Sequence, residues 1–151
     1  MKQRASVLVV DDDAGIRKTL SKILESEGYL VEAVENGERA VDASYERFFN
    51  VALIDIRLPD MEGTELLEKL KETDPRMVKI IITGYPSLKN AIEAVNRGAD
   101  GYVLKPFDAG ELLAMIEKHL KKQRESMKYS EDRVVDFIEA RVKQVELEKE
   151  E

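Results

Sequence analysis

Three consecutive carboxylates, Asp11, Asp12 and Asp13, directly follow the apolar run Val7-Leu8-Val9-Val10. An apolar run this short predicts a buried strand, so the carboxylates stand at its carboxyl end, where open parallel sheets bind their ligands. Asp55 follows a second run of the same kind, Val51-Ala52-Leu53-Ile54. Crowded carboxylates repel one another unless a cation lies between them, and Mg²⁺, which prefers oxygen ligands, is the simplest such cation.

Two further polar residues are predicted at the same edge, because Thr83 ends another apolar run and Lys105 follows yet another. The carboxylates of Asp11, Asp12 and Asp55, together with this hydroxyl and ammonium on one edge, indicate a Mg²⁺ site that handles a phosphoryl group. In such a site Lys105 pairs with one phosphoryl oxygen, and Thr83 donates a hydrogen bond to another. Asp55 is then the candidate nucleophile, forming an acyl phosphate.

The elements that position these residues are five short apolar runs separated by segments of helical periodicity. Strict alternation of strand and helix predicts an α/β fold, with a parallel sheet, right-handed crossovers and helices on both faces. Asp13 is interpreted as the N-cap of the first helix rather than as a metal ligand, and Asp108 as the start of a capping box that opens the fifth. The predicted strands are Ser6–Val10, Tyr29–Val34, Val51–Asp55, Lys79–Thr83 and Asp100–Leu104.

The composition changes near Gln123, which predicts one domain over residues 1–122 and a helical extension over residues 123–151. The extension carries a 3-4-3 apolar seam about two heptads long, shorter than the three or four that argue for a coiled coil. We expect this seam to pair with a second subunit, and folding back onto the first domain is the alternative. Its residues are Val135, Ile138, Val142 and Val145.

Composition excludes several classes of function. The 151-residue chain has no cysteine and a single histidine, which excludes thiol catalysis and a multi-histidine metal site. The net charge of −7 lacks the electrostatic footprint of a nucleic-acid-binding protein, so no direct nucleic-acid contact is expected. No apolar run approaches the roughly 20 residues of a membrane helix, and the N-terminus lacks a signal-peptide core. A cytoplasmic protein without membrane contact is the resulting expectation.

Four sequence strings together resemble the receiver domain of two-component response regulators, in the family's order and spacing over about residues 5–122. They are Val-Leu-Val-Val-Asp-Asp-Asp, Leu-Ile-Asp-Ile-Arg-Leu-Pro-Asp-Met-Glu-Gly, Ile-Ile-Ile-Thr-Gly-Tyr and Gly-Ala-Asp-Gly-Tyr-Val-Leu-Lys-Pro-Phe. The resemblance implies a flavodoxin-like sheet of five strands in the order 2-1-3-4-5.

The resemblance also implies a role for each residue of the acidic site. Asp55 matches the phosphoacceptor, which a sensor histidine kinase or a small phosphodonor charges. Asp12 matches the direct Mg²⁺ ligand, Asp11 acts mainly through water, and the backbone carbonyl of Arg57 supplies a further ligand. No enzymatic activity is expected beyond Mg²⁺-dependent self-phosphorylation and slow self-dephosphorylation.

Signal output is implied by a second group of matches. Thr83 and Tyr102 match the switch pair, in which the hydroxyl moves toward the phosphoryl group and the aromatic ring turns inward. Lys105-Pro106 matches the family's cis peptide. The output surface is then formed by Ser87–Arg97, Asp100–Leu104 and Ala109–Leu120, and we expect a homodimer through this surface, the extension or both.

Two positions flank the path of hydrolytic water in this family, two residues beyond the phosphoacceptor and two beyond the switch threonine. Here they are Arg57 and Tyr85, both bulky. Neither is an acid, an amide or a small residue that could position or admit water. A long-lived phosphoprotein is therefore expected.

Three alternatives remain at this point. The chain could be a regulatory fragment of a larger ATPase-type transcription activator, whose receiver strings it also resembles. A haloacid-dehalogenase-like phosphohydrolase would use Asp11 as its nucleophile, but the chain has Gly15 where that family expects Thr or Val. An interaction module that never takes phosphate would be expected to lack part of the acidic site, and all of its members are present.

Overall fold

The computed structural model describes residues 4–149, which form five parallel strands and five helices in strict alternation. The sheet has the order β2-β1-β3-β4-β5. This is the predicted doubly wound α/β fold. The elements are β1 (Ser6–Val10), α1 (Ala14–Ser26), β2 (Leu30–Val34), α2 (Gly37–Glu46), β3 (Val51–Ile54), α3 (Gly63–Thr73), β4 (Val78–Thr83), α4 (Leu88–Asn96), β5 (Gly101–Leu104) and α5 (Ala109–Lys149).

The strand predictions hold to within one residue at each end. Tyr29, Asp55 and Asp100 fall just outside their strands, and β4 begins one residue earlier, at Val78. Strand β3 ends at Ile54, so Asp55 lies just outside it. The amide of Asp55 nevertheless donates to the carbonyl of Val10 on the neighbouring strand.

The sheet separates two apolar clusters, one on each face. Alternate residues of β1 supply both, since Leu8 and Val10 enter one cluster while Val7 and Val9 enter the other. Burial on both faces explains why β1, β3 and β4 read as continuous apolar runs rather than as alternating ones.

The two helix caps that the sequence predicts, Asp13 and Asp108, are confirmed. Asp13 caps α1, with its Oδ1 accepting from the amide of Ile16 at 3.1 Å, and Asn36 caps α2 in the same way. Asp108 accepts from the amide of Glu111 at 2.9 Å at the start of α5. Such caps each contribute about 1 kcal/mol to helix stability.

Helix α5 runs for 41 residues and passes the predicted domain boundary without a break. Its buried face against the sheet consists of Leu112, Ile116, Leu120 and Gln123. Beyond Met127 every described residue of the helix is exposed. The division into 1–122 and 123–151 stays a prediction, but residue 123 itself packs against the first unit.

Gln123 is held at the amino-terminal edge of the sheet by three hydrogen bonds. Its Nε2 donates to the backbone carbonyls of Asn50 at 3.0 Å and Arg76 at 2.8 Å, and its Oε1 accepts from Nδ2 of Asn50 at 3.1 Å. Asn50 in turn accepts from the amide of Ser6 at 2.9 Å. The side chain therefore ties α5 to the starts of β1, β3 and β4.

Among residues 4–149, none of the helices combines the length and the apolar character that a membrane crossing needs.

Candidate functional site

Backbone hydrogen bonds at the carboxyl edge of the sheet position three of the predicted site residues. The amide of Asp11 donates to Val34, and the amide of Asp55 donates to Val10, at 3.2 and 3.0 Å. The amide of Lys105 donates to the carbonyl of Thr83 at 2.8 Å. Each residue thus extends the sheet by one step, which fixes its Cα while its side chain faces the edge.

The sheet brings the predicted carboxylates together. Oxygen atoms of Asp11, Asp12 and Asp55 all lie within 4.8 Å of one another. Asp11 and Asp55 are only 3% and 6% exposed, whereas Asp12 is exposed. Two buried carboxylates beside a third at the surface form a cup of oxygen ligands that is open to solvent on one side.

Lys105 bridges the two buried carboxylates. Its Nζ lies 2.7 Å from Oδ2 of Asp11 and 3.2 Å from Oδ2 of Asp55. Burial would lower the pKa of the Lys105 ammonium, but the two carboxylates outweigh burial and raise that pKa. Burial raises the pKa of Asp55, helped by the negative charge of Asp11 and opposed by Lys105. Lys105 therefore stays charged at neutral pH, next to a carboxylate that is poorly solvated.

The two predicted switch residues lie on neighbouring strands, two residues apart in register. Thr83 is fully buried at the end of β4, and its Oγ1 accepts from the amide of Tyr85 at 3.0 Å. Tyr102 is in register with Ile81 on the adjacent strand, and its ring packs against the apolar cluster that contains Ile81 and Ala94. Its hydroxyl is the one buried side-chain polar atom in residues 4–149 that has no hydrogen-bond partner.

The segment after Asp55 forms a short loop, residues 57–62, whose two ends meet. Arg57 and Glu62 pair in an antiparallel bridge, and the amide of Gly63 donates to Ile56 at 2.6 Å. A Cβ at Gly63 would collide with the carbonyl oxygen of Asp55, so a residue without a side chain is required there. In this loop the amide of Arg57 lies at a distance of 3.4 Å from Oδ1 of Asp55.

Arg57 and Tyr85, predicted to flank the site, contact each other. The guanidinium carbon of Arg57 lies 4.1 Å from the centroid of the Tyr85 ring, which is a cation–π contact. Both side chains are exposed, Tyr85 to 56%, and the two residues follow Asp55 and Thr83 by two positions each. The two bulky side chains therefore form one stacked pair rather than two separate obstacles.

Sequence reasoning missed two residues that support the site. Nη1 of Arg17, on α1, donates to the carbonyl of Asp11 at 2.7 Å. Asp60, at the tip of the 57–62 loop, accepts from the amides of Gly37 and Glu38, each at 2.9 Å. No local pattern marks either contact, since Asp60 lies in a Pro-Asp turn that reads only as a loop.

The donor set fits a hard divalent cation. Carboxylate oxygens that converge from two strand ends are the ligands that Mg²⁺ prefers, and a cation offsets the repulsion between Asp11, Asp12 and Asp55. The backbone carbonyl of Arg57 stays a predicted ligand. Lys105-Pro106 is a cis peptide bond, as predicted.

A family model described as the response regulator receiver domain matches residues 7–117. Among curated proteins, the DNA-binding transcriptional regulator NtrC of Proteus hauseri is 41% identical over 123 residues, which is 82% of this chain and 26% of that protein. The chain thus spans about a quarter of the length of that relative.

Solved structures agree with the sequence comparisons. The CheY-like response regulator receiver domain protein of Methanospirillum hungatei JF-1 has a TM-score of 0.80 and 44% identity, covering 82% of this chain and 99% of that one. The beryllofluoride-activated NtrC4 receiver domain dimer has a TM-score of 0.75 and 36% identity, covering 78% and 98%.

Proposed function

Because the chain belongs to the response regulator receiver family of two-component systems, we propose that Asp55 accepts a phosphoryl group from a sensor histidine kinase. A carboxylate oxygen of Asp55 attacks phosphorus, the P–N bond of the kinase phosphohistidine breaks, and its electron pair returns to the imidazole. The observation that carries this proposal is the convergence of Asp11, Asp12, Asp55 and Lys105 on one edge of the sheet.

The carboxylates of Asp11, Asp12 and Asp55 and the backbone carbonyl of Arg57 are the residues that would hold Mg²⁺. When bound, the ion supplies positive charge that offsets the carboxylates and the phosphoryl oxygens. The chain's own cation is Lys105, whose Nζ already lies 3.2 Å from the phosphoacceptor. We propose that this ammonium moves from the carboxylate oxygen of Asp55 to a phosphoryl oxygen once Asp55 is charged.

Thr83 and Tyr102 are proposed to pass the change to the surface. The Thr83 hydroxyl accepts a hydrogen bond from Tyr85 and keeps its own proton to donate, so it can bond a phosphoryl oxygen. The buried Tyr102 hydroxyl has no partner within the described chain, which makes the position of the ring sensitive to small shifts of β4 and α4.

The proposed output surface is apolar where it faces solvent. Leu88, Ile92 and Val95 of α4 are 78%, 52% and 66% exposed, and Leu104 at the end of β5 is 50% exposed. Exposed apolar residues grouped on one face favour a protein–protein contact. We propose that this face binds a partner or a second copy when Asp55 is phosphorylated.

The α5 extension is proposed to dimerise through its predicted seam. Val135, Ile138, Val142 and Val145 are all between 38% and 53% exposed, so no other described part of the chain covers them. In a parallel pairing Arg141 would meet the partner's Glu146 at flanking positions, which favours that orientation. The receiver dimer structure cited above shows that a related receiver associates.

Two alternatives concern the whole protein. A regulatory part of a larger transcription activator is favoured by the relative described as a DNA-binding transcriptional regulator. A phosphohydrolase using Asp11 is disfavoured, because the chain has Gly15 where that family expects Thr or Val.

The test is the intact mass of the protein after incubation with Mg²⁺ and acetyl phosphate, compared with Asp55→Asn. One added phosphoryl group is expected in the wild type and none in the variant. Asp42→Asn, an exposed carboxylate on α2, is the matched control and should gain the same mass as the wild type. An adduct that persists in Asp55→Asn, or acetyl phosphate consumed without any adduct, would contradict the proposal.

A further inference from the structure

The tip of the 57–62 loop is joined to the N-terminus of α2 by a single side chain. Oδ1 of Asp60 accepts from the amide of Gly37, and its Oδ2 accepts from the amide of Glu38, each at 2.9 Å. A helix start leaves four amides without partners inside the helix. In α2 the three that follow the N-cap Asn36 are those of Gly37, Glu38 and Arg39. Asn36 satisfies the third, on Arg39, so Asp60 satisfies the other two from a different loop.

The contact suits a charged carboxylate. The positive end of the helix macrodipole and two amide donors face it, and both favour the ionised form. Asp60 is exposed, so the small cost of desolvation is outweighed and its pKa is lowered. The bond is thus charge-assisted over the whole physiological pH range, although the residue lies at the surface.

A second contact fixes the flank of the same loop. Met61 packs against Gly37 so closely that a Cβ there would overlap the thioether. Gly37 is buried although it opens a helix, a position where glycine offers no intrinsic advantage. The close approach of Met61 therefore accounts for the glycine, and it joins the loop to α2 next to the Asp60 contact.

The loop is consequently held at three points: its closed ends at Ile56 and Gly63, its flank at Met61 and its tip at Asp60. Arg57 lies between the first and the last of these. Its amide faces Oδ1 of Asp55, and its guanidinium stacks on the ring of Tyr85. Any drift of the loop moves both groups relative to the phosphoacceptor.

We infer that Asp60 is a positioning residue, which holds the peptide of Arg57 against the acidic site by capping α2. This inference rests on the proposed function, in which that peptide supplies a carbonyl ligand to Mg²⁺. It adds that the N-terminus of α2, remote from the output surface formed by α4, β5 and α5, contributes to metal affinity. Asp60 touches none of the reacting groups and acts only through the loop.

The experiment is a Mg²⁺ titration of the unphosphorylated protein followed by the amide NMR signals of residues 55–57, in the wild type, Asp60→Ala and Asp42→Ala. Asp42 is the matched control, because it is an exposed carboxylate on α2 whose loss changes the net charge equally. Loss of a partner that orients a metal ligand costs about 10-fold or more in metal affinity, and a weakening near tenfold is expected for Asp60→Ala alone.

Hydrogen exchange provides the readout that does not depend on metal. The amides of Gly37 and Glu38 should exchange faster in Asp60→Ala than in Asp42→Ala, while the amides of β1 and β3 stay protected in both. Should Asp60→Ala unfold, Gly37→Ala tests the same joint from α2, because the added methyl group displaces Met61. Weaker Mg²⁺ binding is expected there too.

Two outcomes would overturn the inference: Mg²⁺ affinity equal to the wild type in Asp60→Ala despite faster exchange at Gly37 and Glu38, or an equal loss in Asp42→Ala. Both leave the proposed function standing, since the wild type still takes a phosphoryl group on Asp55. A wild type that neither binds Mg²⁺ nor gains phosphoryl mass overturns the proposed function instead, and with it this inference.

Discussion

Replacing Arg57 and Tyr85 with serine should shorten the life of the phosphorylated protein. The two side chains stack at 4.1 Å, and each belongs to a residue two positions beyond a site residue, Asp55 or Thr83. Hydrolysis needs a water molecule in line with the Asp55–phosphorus bond, and we predict that the stacked pair hinders the approach of that molecule. Both serine variants leave the backbone of residue 57 in place, so the predicted carbonyl ligand is retained.

The size of the effect follows from the strength of the stack. A cation–π contact at an exposed position is worth about 0.5–1 kcal/mol. We assume that water enters only while Arg57 and Tyr85 are unstacked. The contact then lowers the fraction of unstacked molecules by about two- to fivefold, since 1.36 kcal/mol corresponds to a factor of ten. Each single variant should therefore lose phosphate at least that much faster than the wild type.

The assay is a double-mutant cycle on the decay of the phosphorylated mass, started by removing acetyl phosphate on a desalting column. Because either substitution abolishes the stack, its contribution should appear once, and the double variant should decay more slowly than the product of the single factors predicts. Arg133→Ser is the matched control: it removes an arginine from another Arg–Tyr pair, 5.8 Å from Tyr129 in α5.

Equal decay rates in the wild type, the two single variants and the double variant would refute the prediction that Arg57 and Tyr85 hinder hydrolytic water. Single factors that simply multiply would refute the joint action of Arg57 and Tyr85, leaving two independent steric effects.

Three further predictions concern stability and assembly. Gln123→Ala leaves Asn50 Nδ2 and the carbonyl of Arg76 without this partner, although the carbonyl of Asn50 still accepts from the amide of Val78. The variant should lower the unfolding free energy by about 1–3 kcal/mol in urea, and a loss within error of zero would contradict a structural role for Gln123. Burial lowers the pKa of Lys79, although Asp100 opposes this shift. Between the lowered pKa and the ordinary value of 10.5, the unfolded chain binds more protons than the folded one. The stability of the wild type relative to Lys79→Met should therefore rise as the pH increases through this range. A difference between the two urea curves that does not change with pH would exclude this. Val142→Asp should abolish the proposed dimer in sedimentation experiments, whereas Phe137→Asp, on another face of α5 and 72% exposed, should not.

Much of the fold was readable because local rules and tertiary packing agree. A strand covered on both faces is apolar over most of its length, so β1, β3 and β4 can be recognised in the sequence. Parallel strands end at the same edge, which is why Asp11, Asp55 and Lys105 could be brought together from their positions alone. Helix caps at Asp13 and Asn36 are contacts between residues three apart, and no tertiary information is needed for them.

The contacts that could not be predicted from the sequence join residues far apart in the chain. Asp60 meets α2 across 23 residues, and Gln123 meets Asn50 across 73. In each case the residue type is compatible with several local roles, a turn aspartate or a solvated glutamine, and only the packed neighbours decide among them. The same holds for Arg57 and Tyr85, whose bulk was evident but whose stacking depends on how two loops approach each other.

By itself, then, the sequence determined the alternation of strands and helices and the residue types at the acidic edge, because burial and capping leave local patterns. Only the tertiary structure decided which loop supports that edge and which groups at the starts of the strands Gln123 of α5 contacts. It also decided that the Tyr102 hydroxyl is buried without a described partner. Those features arise from long-range contacts, and a long-range contact is selected by the geometry of the whole sheet rather than by any short stretch of the chain.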